Sequence, residues 1–451
     1  MNEKENNCLE NLDEYPETAI PFLGPCRIPS PIHRMKREHF RECFVTDYDR
    51  VLLDVSLIRV ETLIKKGEPL AAFEMAGPRG QIYFDPSKLK CALVTCGGLC
   101  PGLNDVIRSI VLELYHGYGV HNIFGIRYGL RGFISCYGHD LIHLNPEAVR
   151  RILGTGGSIL GSSRGPQPID EIVDCLERLN IGILFMIGGD GTLLAAAKIA
   201  DTIAARGLKI AVVGIPKTID NDIFLVSRSF GFDTAVDVAT QAIRGAHKES
   251  EGYPNGIGLI KLMGRYSGFI AATATLAQQE VNFALIPEVD FDLEGRNGLL
   301  QSLEARLNLR GHAVIVVAEG AGQKFFKDTQ KDRDASGNIK LKDIGLFLKE
   351  KISEHFVSRG IDISLKYIDP SYMIRSLPPN TNDRIFCSAL ARNAVHAGIS
   401  GKTRMMVGYW NDRFVNIPMK ASAGRRKQVN PRGGLWQNVL DVTGQGSLKN
   451  R

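Results

Sequence analysis

The sequence predicts an α/β protein: two Rossmann-like three-layer domains on parallel sheets, a cleft for the functional site between them, an N-terminal extension and a C-terminal arm. From Cys91 onward, short runs rich in Val and Ile alternate with longer amphipathic stretches, the rhythm of repeated strand and helix units. The short runs are almost continuously apolar, as strands buried on both faces of a helix-covered parallel sheet must be. At 451 residues the chain suits two packed domains better than one eight-stranded sheet.

Residues 1–90 form the extension. The start, MNEKENNCLENLDEY, is acidic and polar, unlike a secretory or transit peptide. The Pro-rich stretch PETAIPFLGPCRIPSPIH reads as an extended segment packed on the main body. Strands are expected at CALVTC (91–96), NIFGIRY (122–128), GILFMIG (182–188), KIAVVGI (209–215), GIGLIKLM (256–263), FALIP (283–287), HAVIVVAE (312–319) and ISLKYI (363–368). After Asp233, a plausible N-cap, Ala235, Val238, Ala239, Ala242, Ile243 and Ala246 recur at helical spacing.

The domain break falls near residue 232, giving one domain over 91–232 joined by about 376–410, and a second over 233–375. Residues 320–343 are charged and Gly-containing, a mobile loop or an ordered insertion. TRMMVGYWNDRFVNIPM reads as a hairpin around Asn411 and Asp412, opening a terminal hairpin and arm over 411–451. Its RRK (425–427) suits a solvated or subunit-contacting segment.

Composition excludes several classes. The chain is 44% hydrophobic and 23% charged, an ordinary globular balance. Its net charge of +6 comes from 55 basic and 49 acidic residues without a basic block, which argues against nucleic acid and suits phosphorylated small molecules. No apolar run approaches the roughly 18 residues of a membrane span. Nine scattered cysteines fit a reducing, cytoplasmic setting, and SLKNR is not a peroxisomal signal.

Three glycine clusters stand out, the first and third directly after predicted strands. In TCGGLCPGLNDVIRSIV, Gly97, Gly98 and Gly102 precede a helix whose free amides suit an anion, although such a turn also occurs without a ligand. Cys96 and Cys100 lack a second pair at metal-ligand spacing. GTGGSILGSSRGP (154–166) adds small residues and Arg164, suited to a phosphate needing several donors, or else a surface loop. In GILFMIGGDGTLLAAAKIA, a buried strand delivers Asp190 to the sheet edge, with Thr192 opening a helix; Asp190 can hold Mg²⁺ beside a polyphosphate, or cap the helix, or both.

The fourth motif, PKTIDND, places two acids at the same edge. So close to phosphates they raise each other's pKa and repel substrate unless one is a base and the other serves a metal or orients the acceptor. Asp220 is therefore expected to deprotonate an acceptor hydroxyl, with Asp222 orienting it or the metal. Lys217 and Thr218 would face a transferring phosphoryl group. An Asx-rich turn is the structural alternative.

GGDGT (188–192), PKTIDND (216–222), KLMGR (261–265), VAEG (317–320) and PSYMIR (370–375), in that order, resemble the phosphofructokinase family over about residues 91–410. GGDGT alone is shared with NAD kinases and diacylglycerol-type lipid kinases; PKTIDND followed by MGR is far more specific. The resemblance implies phosphoryl transfer to the 1-hydroxyl of fructose 6-phosphate, with Mg²⁺, in an active-site cleft between two α/β domains. It implies that the first domain takes nucleotide through Gly97, Gly98, Arg164, Gly165, Gly189, Asp190, Gly191 and Thr192, with Asp190 on magnesium. Thr218 and Asp220 would meet the sugar, Asp220 as proton acceptor. In the second domain Met263, Gly264 and Arg265 would bind the sugar phosphate and the transition state, Glu319 a sugar hydroxyl, and Tyr372 with Arg375 the 6-phosphate. A homo-oligomer, tetramer or dimer, and allosteric control are further implications.

Two positions depart from the family's common patterns. ATP-dependent bacterial members have glycine where this chain has Lys217, and pyrophosphate-dependent members have lysine there with aspartate where this chain has Gly191. An aspartate at 191 would occupy the place of a nucleotide α-phosphate, so Gly191 favours ATP while Lys217 can still neutralise the transferring group. With CGGLCPG, this mixed pair is similar to the plant and trypanosomatid ATP-dependent branch. A pyrophosphate-dependent enzyme and a catalytically silent regulatory subunit are the alternatives. The second departure is Gly256, where short bacterial members carry an interface-crossing arginine; Lys366 or Arg384 would have to replace that cation.

Overall fold

The computed structural model describes residues 16–34, 44–326, 333 and 339–450; the acidic start and most of the middle of the 320–343 segment lie outside the described residues. Two main sheets organise the chain. The larger has nine strands in the order Arg50–Leu52, Ala72–Met75, Arg413–Pro418, Met405–Trp410, Ala211–Pro216, Ile183–Gly188, Lys90–Thr95, Asn122–Ile126 and Ile142–His143. The smaller has four parallel strands in the order Phe283–Leu285, His312–Ala318, Gly256–Leu262 and Ser364–Ile368.

All eight expected strands form, with no end moved by more than two residues. Their continuous apolar character has a direct cause. Cys91, Leu93, Ile183, Phe185, Val213 and Ile215 point into one core, while Ala92, Val94, Leu184, Met186 and Val212 point into another on the opposite face. Each Val, Leu, Ile, Phe or Met among them, fully buried, contributes ~1.5–3 kcal/mol. The small sheet repeats the arrangement, with Ile260, Leu262, Val314 and Val316 on one face and Ile257, Leu259, Ile315 and Val317 on the other.

The large sheet is parallel only in its centre. Residues 50–75, read as part of an irregular extension, and the 405–418 hairpin add antiparallel strands at one edge. The hairpin turns at Asn411 and Asp412 with φ of 44° and 59°, which is why an Asn-Asp pair stands there. The segment after Pro16 does pack on the body: Ile20 and Ile32 are buried, and Ile28–Pro29 pairs with Gln81–Ile82.

Helix Phe232–Glu251 packs against the small sheet, and helix Thr381–Ile399 against helix Leu103–Leu112. Gly231, with φ of 85°, caps the first of these rather than Asp233, which lies in its first turn paired with Arg228. The chain steps outward in opposite directions from Lys90–Thr95, to Asn122–Ile126 on one side and Ile183–Gly188 on the other. Loops leaving the C-terminal ends of these strands therefore splay apart and leave a crevice, the usual place for a ligand in such sheets.

Candidate active site

At the first crevice wall, three loops are stitched together by short side chains. Thr95 Oγ1 donates to the Gly161 carbonyl (2.6 Å) and Ser162 Oγ to that of Gly97 (2.6 Å), while the Gly97 amide donates to the Ser163 carbonyl (3.1 Å). Asn104, in the first turn of helix Leu103–Leu112, holds Thr155 and Ile159. The stretch 154–166 is thus folded across the glycine turn, not a loose surface loop. Gly102 (φ 100°) must lack a side chain, since a Cβ there would meet Cys387 Sγ at 2.5 Å. A Cβ on Gly98 would lie 3.5 Å from the Arg164 guanidinium and 3.7 Å from that of Arg375, so both cations converge on this turn, with Gly165 (φ 94°) following Arg164.

Strand Ile183–Gly188 delivers the second wall. Gly188 is pressed against Thr192, which is buried, and Gly189 occupies the N-cap of helix Asp190–Ala205, leaving Asp190 as its first residue. Thr192 donates its amide to the Gly189 carbonyl at 2.8 Å. Among the described residues, nothing but the chain neighbours and the helix's own backbone lies within 4 Å of a Cβ built on Gly191, so space is open over this turn.

PKTIDND closes the site. The Lys217 amide donates to the Gly188 carbonyl (3.0 Å), continuing the strand pairing, and its buried ammonium donates to the Gly98 carbonyl at 2.5 Å. Burial, helped by the positive Arg375 and Arg164, lowers its pKa. Asn221 (φ 54°) knots the turn by accepting from the Ser229 amide and donating to the Ser227 carbonyl. Thr218 Oγ1 accepts from the Asp220 amide and donates to Asp222 Oδ1, both at 3.1 Å.

Asp220 Oδ1 is buried and has no hydrogen-bond partner among the described residues. Burial, then the charges of Asp222 and Glu319, push its pKa up to about 8 against the opposing pull of Arg375 and Arg265. Asp190 is pushed up to about 7 by burial and by Asp222, with Arg426 opposing.

The small sheet supplies the facing wall. Met263, buried, begins the loop after Gly256–Leu262, and glycine stands at 264 because the backbone takes φ of 131° and a Cβ would meet the Ser267 carbonyl at 2.5 Å. The Gly264 carbonyl accepts from the Gly320 amide (3.1 Å), which ties Arg265 to Glu319 at the end of the neighbouring strand. Ser267 Oγ donates to the Asp220 carbonyl at 3.2 Å, joining the two walls. Burial raises the Glu319 pKa, with Arg265 and Arg375 opposing.

Arg375 rises from helix Ser371–Ser376 into this cluster, whereas Tyr372, on the same helix, is 83% exposed. Lys366 and Arg384 are engaged elsewhere, at 3.8 Å from Glu249 and Asp105 respectively.

One functional candidate has no local signal in the sequence. Arg426 Nη1 is 3.3 Å from Asp222 Oδ2 and its Nη2 3.7 Å from Asp190 Oδ2, with the guanidinium 3.9 Å over the Tyr266 ring. Neighbouring Lys427 is buried, donating Nζ to the Val226 carbonyl (2.7 Å) and its amide to that of Asp222 (2.9 Å). Of the expected solvated or subunit-contacting segment at 425–427, Arg425 is exposed, while Arg426 and Lys427 turn into the body of the chain. A three-residue charge run has no periodicity to mark it as buried, and its partners are remote in sequence.

The arrangement gathers cations from both sheets around carboxylates with raised pKa values, a setting for moving a proton beside phosphate. The phosphofructokinase family model matches residues 90–398. The chain is 49% identical to an ATP-dependent 6-phosphofructokinase of Borreliella burgdorferi, over 98% of this chain and 99% of that one. It is 48% identical to ATP-dependent 6-phosphofructokinase 1 of Arabidopsis thaliana, over 83% and 80%. A solved pyrophosphate-dependent phosphofructokinase from Marinobacter aquaeolei shares the fold with a TM-score of 0.65 at 20% identity, covering 79% of this chain and 92% of that chain. With the family model spanning most of its length and such relatives end to end, the chain belongs to the phosphofructokinase family.

Proposed function

We propose that this chain is an ATP-dependent 6-phosphofructokinase acting in glycolysis, transferring the γ-phosphoryl group of ATP to the 1-hydroxyl of fructose 6-phosphate. The observation that carries the assignment is Asp220: a buried carboxylate oxygen with no hydrogen-bond partner among the described residues, facing Arg375 and Arg265 of the small-sheet wall. Its raised pKa makes it a stronger base than an ordinary aspartate, suited to taking the hydroxyl proton as the new O–P bond forms. Thr218 holds the Asp220 backbone and Asp222, fixing the direction of that attack. Lys217, Arg164 and Arg375 surround the glycine turn, where Gly97, Gly98, Gly165, Gly189, Gly191 and Thr192 leave room for the nucleotide. Arg265, with Met263 and Gly264 setting its loop, stabilises charge on the transferring group from the opposite wall. Glu319 takes a sugar hydroxyl, and Arg375 with Tyr372 the 6-phosphate.

Asp190 and Asp222, with Arg426 beside both, form an oxygen donor set that already tolerates a cation, which fits magnesium; Asp190 would hold it. Bound there, magnesium neutralises phosphate charge. In this assignment residues 91–232 with about 376–410 serve the nucleotide and 233–375 the sugar phosphate. The enzyme works in the cytoplasm as a homo-oligomer; among the described residues no helix is long and apolar enough to cross a membrane.

Lys217 favours a second reading, a pyrophosphate-dependent enzyme, because its ammonium lies where a compact donor would need a cation. The names of relatives at 45–49% identity and the open space at Gly191 support ATP. Assay of fructose 1,6-bisphosphate formation with each donor separates the two.

A further inference from the structure

The end of helix Phe232–Glu251 farthest from the cleft carries a cluster that phosphoryl transfer does not use. His247 and Glu251 stand one turn apart, and His312 opens the strand His312–Ala318, paired in register with Gly256. One ligand atom from each lies within 4.8 Å of the other two. Seven strand residues at ~3.3 Å each put this edge ~20 Å from Glu319 at the strand's other end.

The surroundings leave each imidazole a nitrogen for a cation. His312 Nδ1 lies 3.2 Å from the Arg310 carbonyl, so a proton held there leaves Nε2 with a free lone pair. His247 is only 9% exposed at its side chain, and its buried Nδ1 has no hydrogen-bond partner among the described residues, with Glu280 Oε1 4.0 Å away. Its Nε2 faces Glu251 Oε1 at 3.5 Å, while Glu251 commits Oε2 to Lys248 at 2.8 Å.

We propose that His247, Glu251 and His312 bind one first-row transition ion with affinity for imidazole, of the zinc class, with Glu280 orienting His247 from its second nitrogen and water completing the coordination. Two imidazoles and a carboxylate are the donor set such ions take, and an oxygen stands beside the second nitrogen of His312 at 3.2 Å and near that of His247 at 4.0 Å. Bonds of ~2.0–2.1 Å require ligand atoms ~3.3 Å apart, which rotation of exposed Glu251 and half-buried His312 supplies. Magnesium does not suit this site, since it prefers oxygen donors. Occupation clamps the helix end to the strand that carries Glu319.

The test uses the full chain, stripped with chelator and returned to millimolar Mg²⁺ so that the cleft carboxylates are already served. Co²⁺ is titrated by its visible absorption and displaced with Zn²⁺. We expect one equivalent bound, at least ~10-fold weaker binding in His312→Ala and Glu251→Gln, and a Tm rise with Zn²⁺ in the parent that His312→Ala lacks. Both substitutions are at solvent-accessible positions, so folding is retained. Absence of Co²⁺ uptake by the parent, or uptake by both variants equal to the parent's, overturns the proposal and leaves His247 as an ion-pair partner of the two glutamates.

Discussion

Arg426 meets Asp222 at 3.3 Å although 204 residues separate them in the chain. The contact makes the C-terminal segment part of the cleft and gives two crowded carboxylates a shared counter-charge. Arg426→Ala should lower stability at pH 8 by about 1 kcal/mol, a modest figure because the guanidinium is 35% exposed. Urea denaturation of parent and variant, repeated at pH 4 where Asp190, with its pKa of about 7, is neutral, should find the difference shrinking. A difference unchanged between the two pH values would mean that stacking on Tyr266, not charge, holds the segment.

Asp220→Ser should reduce kcat by about 10²–10⁴ and leave the KM for fructose 6-phosphate nearly unchanged, as expected for loss of a general base. Equal damage to both constants would assign Asp220 to binding.

The same residue should cost stability. Its folded pKa, like that of Asp190, is raised, so the folded chain keeps protons that the unfolded chain has released. The associated stability is complete below about pH 4, the ordinary aspartate value, and is lost as pH rises through about 7 for Asp190 and about 8 for Asp220. Buried His396, with its pKa lowered to about 3, imposes the opposite slope below about pH 6.5, so the informative quantity is a difference between proteins. Asp220→Asn should match the parent near pH 4 and exceed it increasingly toward pH 8 in chemical denaturation. A variant less stable than the parent at pH 8 would contradict the burial cost.

Gly264→Ala should disturb the small-sheet wall. Its φ of 131° is outside the usual range of L-residues, and the Ser267 carbonyl blocks the new methyl group. A loss of ~1–3 kcal/mol in stability is expected, with a raised KM for fructose 6-phosphate because Arg265 follows directly. Normal stability with a normal KM would show that the loop has room to adjust.

The sheet core and most of the site were legible because strand runs and glycine turns are local patterns. GGDGT and PKTIDND each announce themselves within a few residues, and parallel pairing then brings Asp190, Asp220 and Asp222 to one edge. Arg426, and the edge strand Ala72–Met75 that pairs with the terminal hairpin, were not legible, since each depends on contacts formed across the length of the chain. Asp233 misled for a smaller reason: Gly231 takes the left-handed conformation that starts the helix, and the acid then finds Arg228. Tyr372 matches its motif, yet stands in solvent while Arg375, on the same short helix, points into the cleft.

The most direct measurement is formation of fructose 1,6-bisphosphate by the purified chain with Mg²⁺ and either ATP or pyrophosphate, beside Gly191→Asp. The open space around Gly191 lets the variant fold, so any change reports on the donor. The account predicts turnover with ATP and not with pyrophosphate, and loss of ATP turnover in the variant. Turnover with pyrophosphate alone would contradict it and make Lys217 the residue that selects the donor.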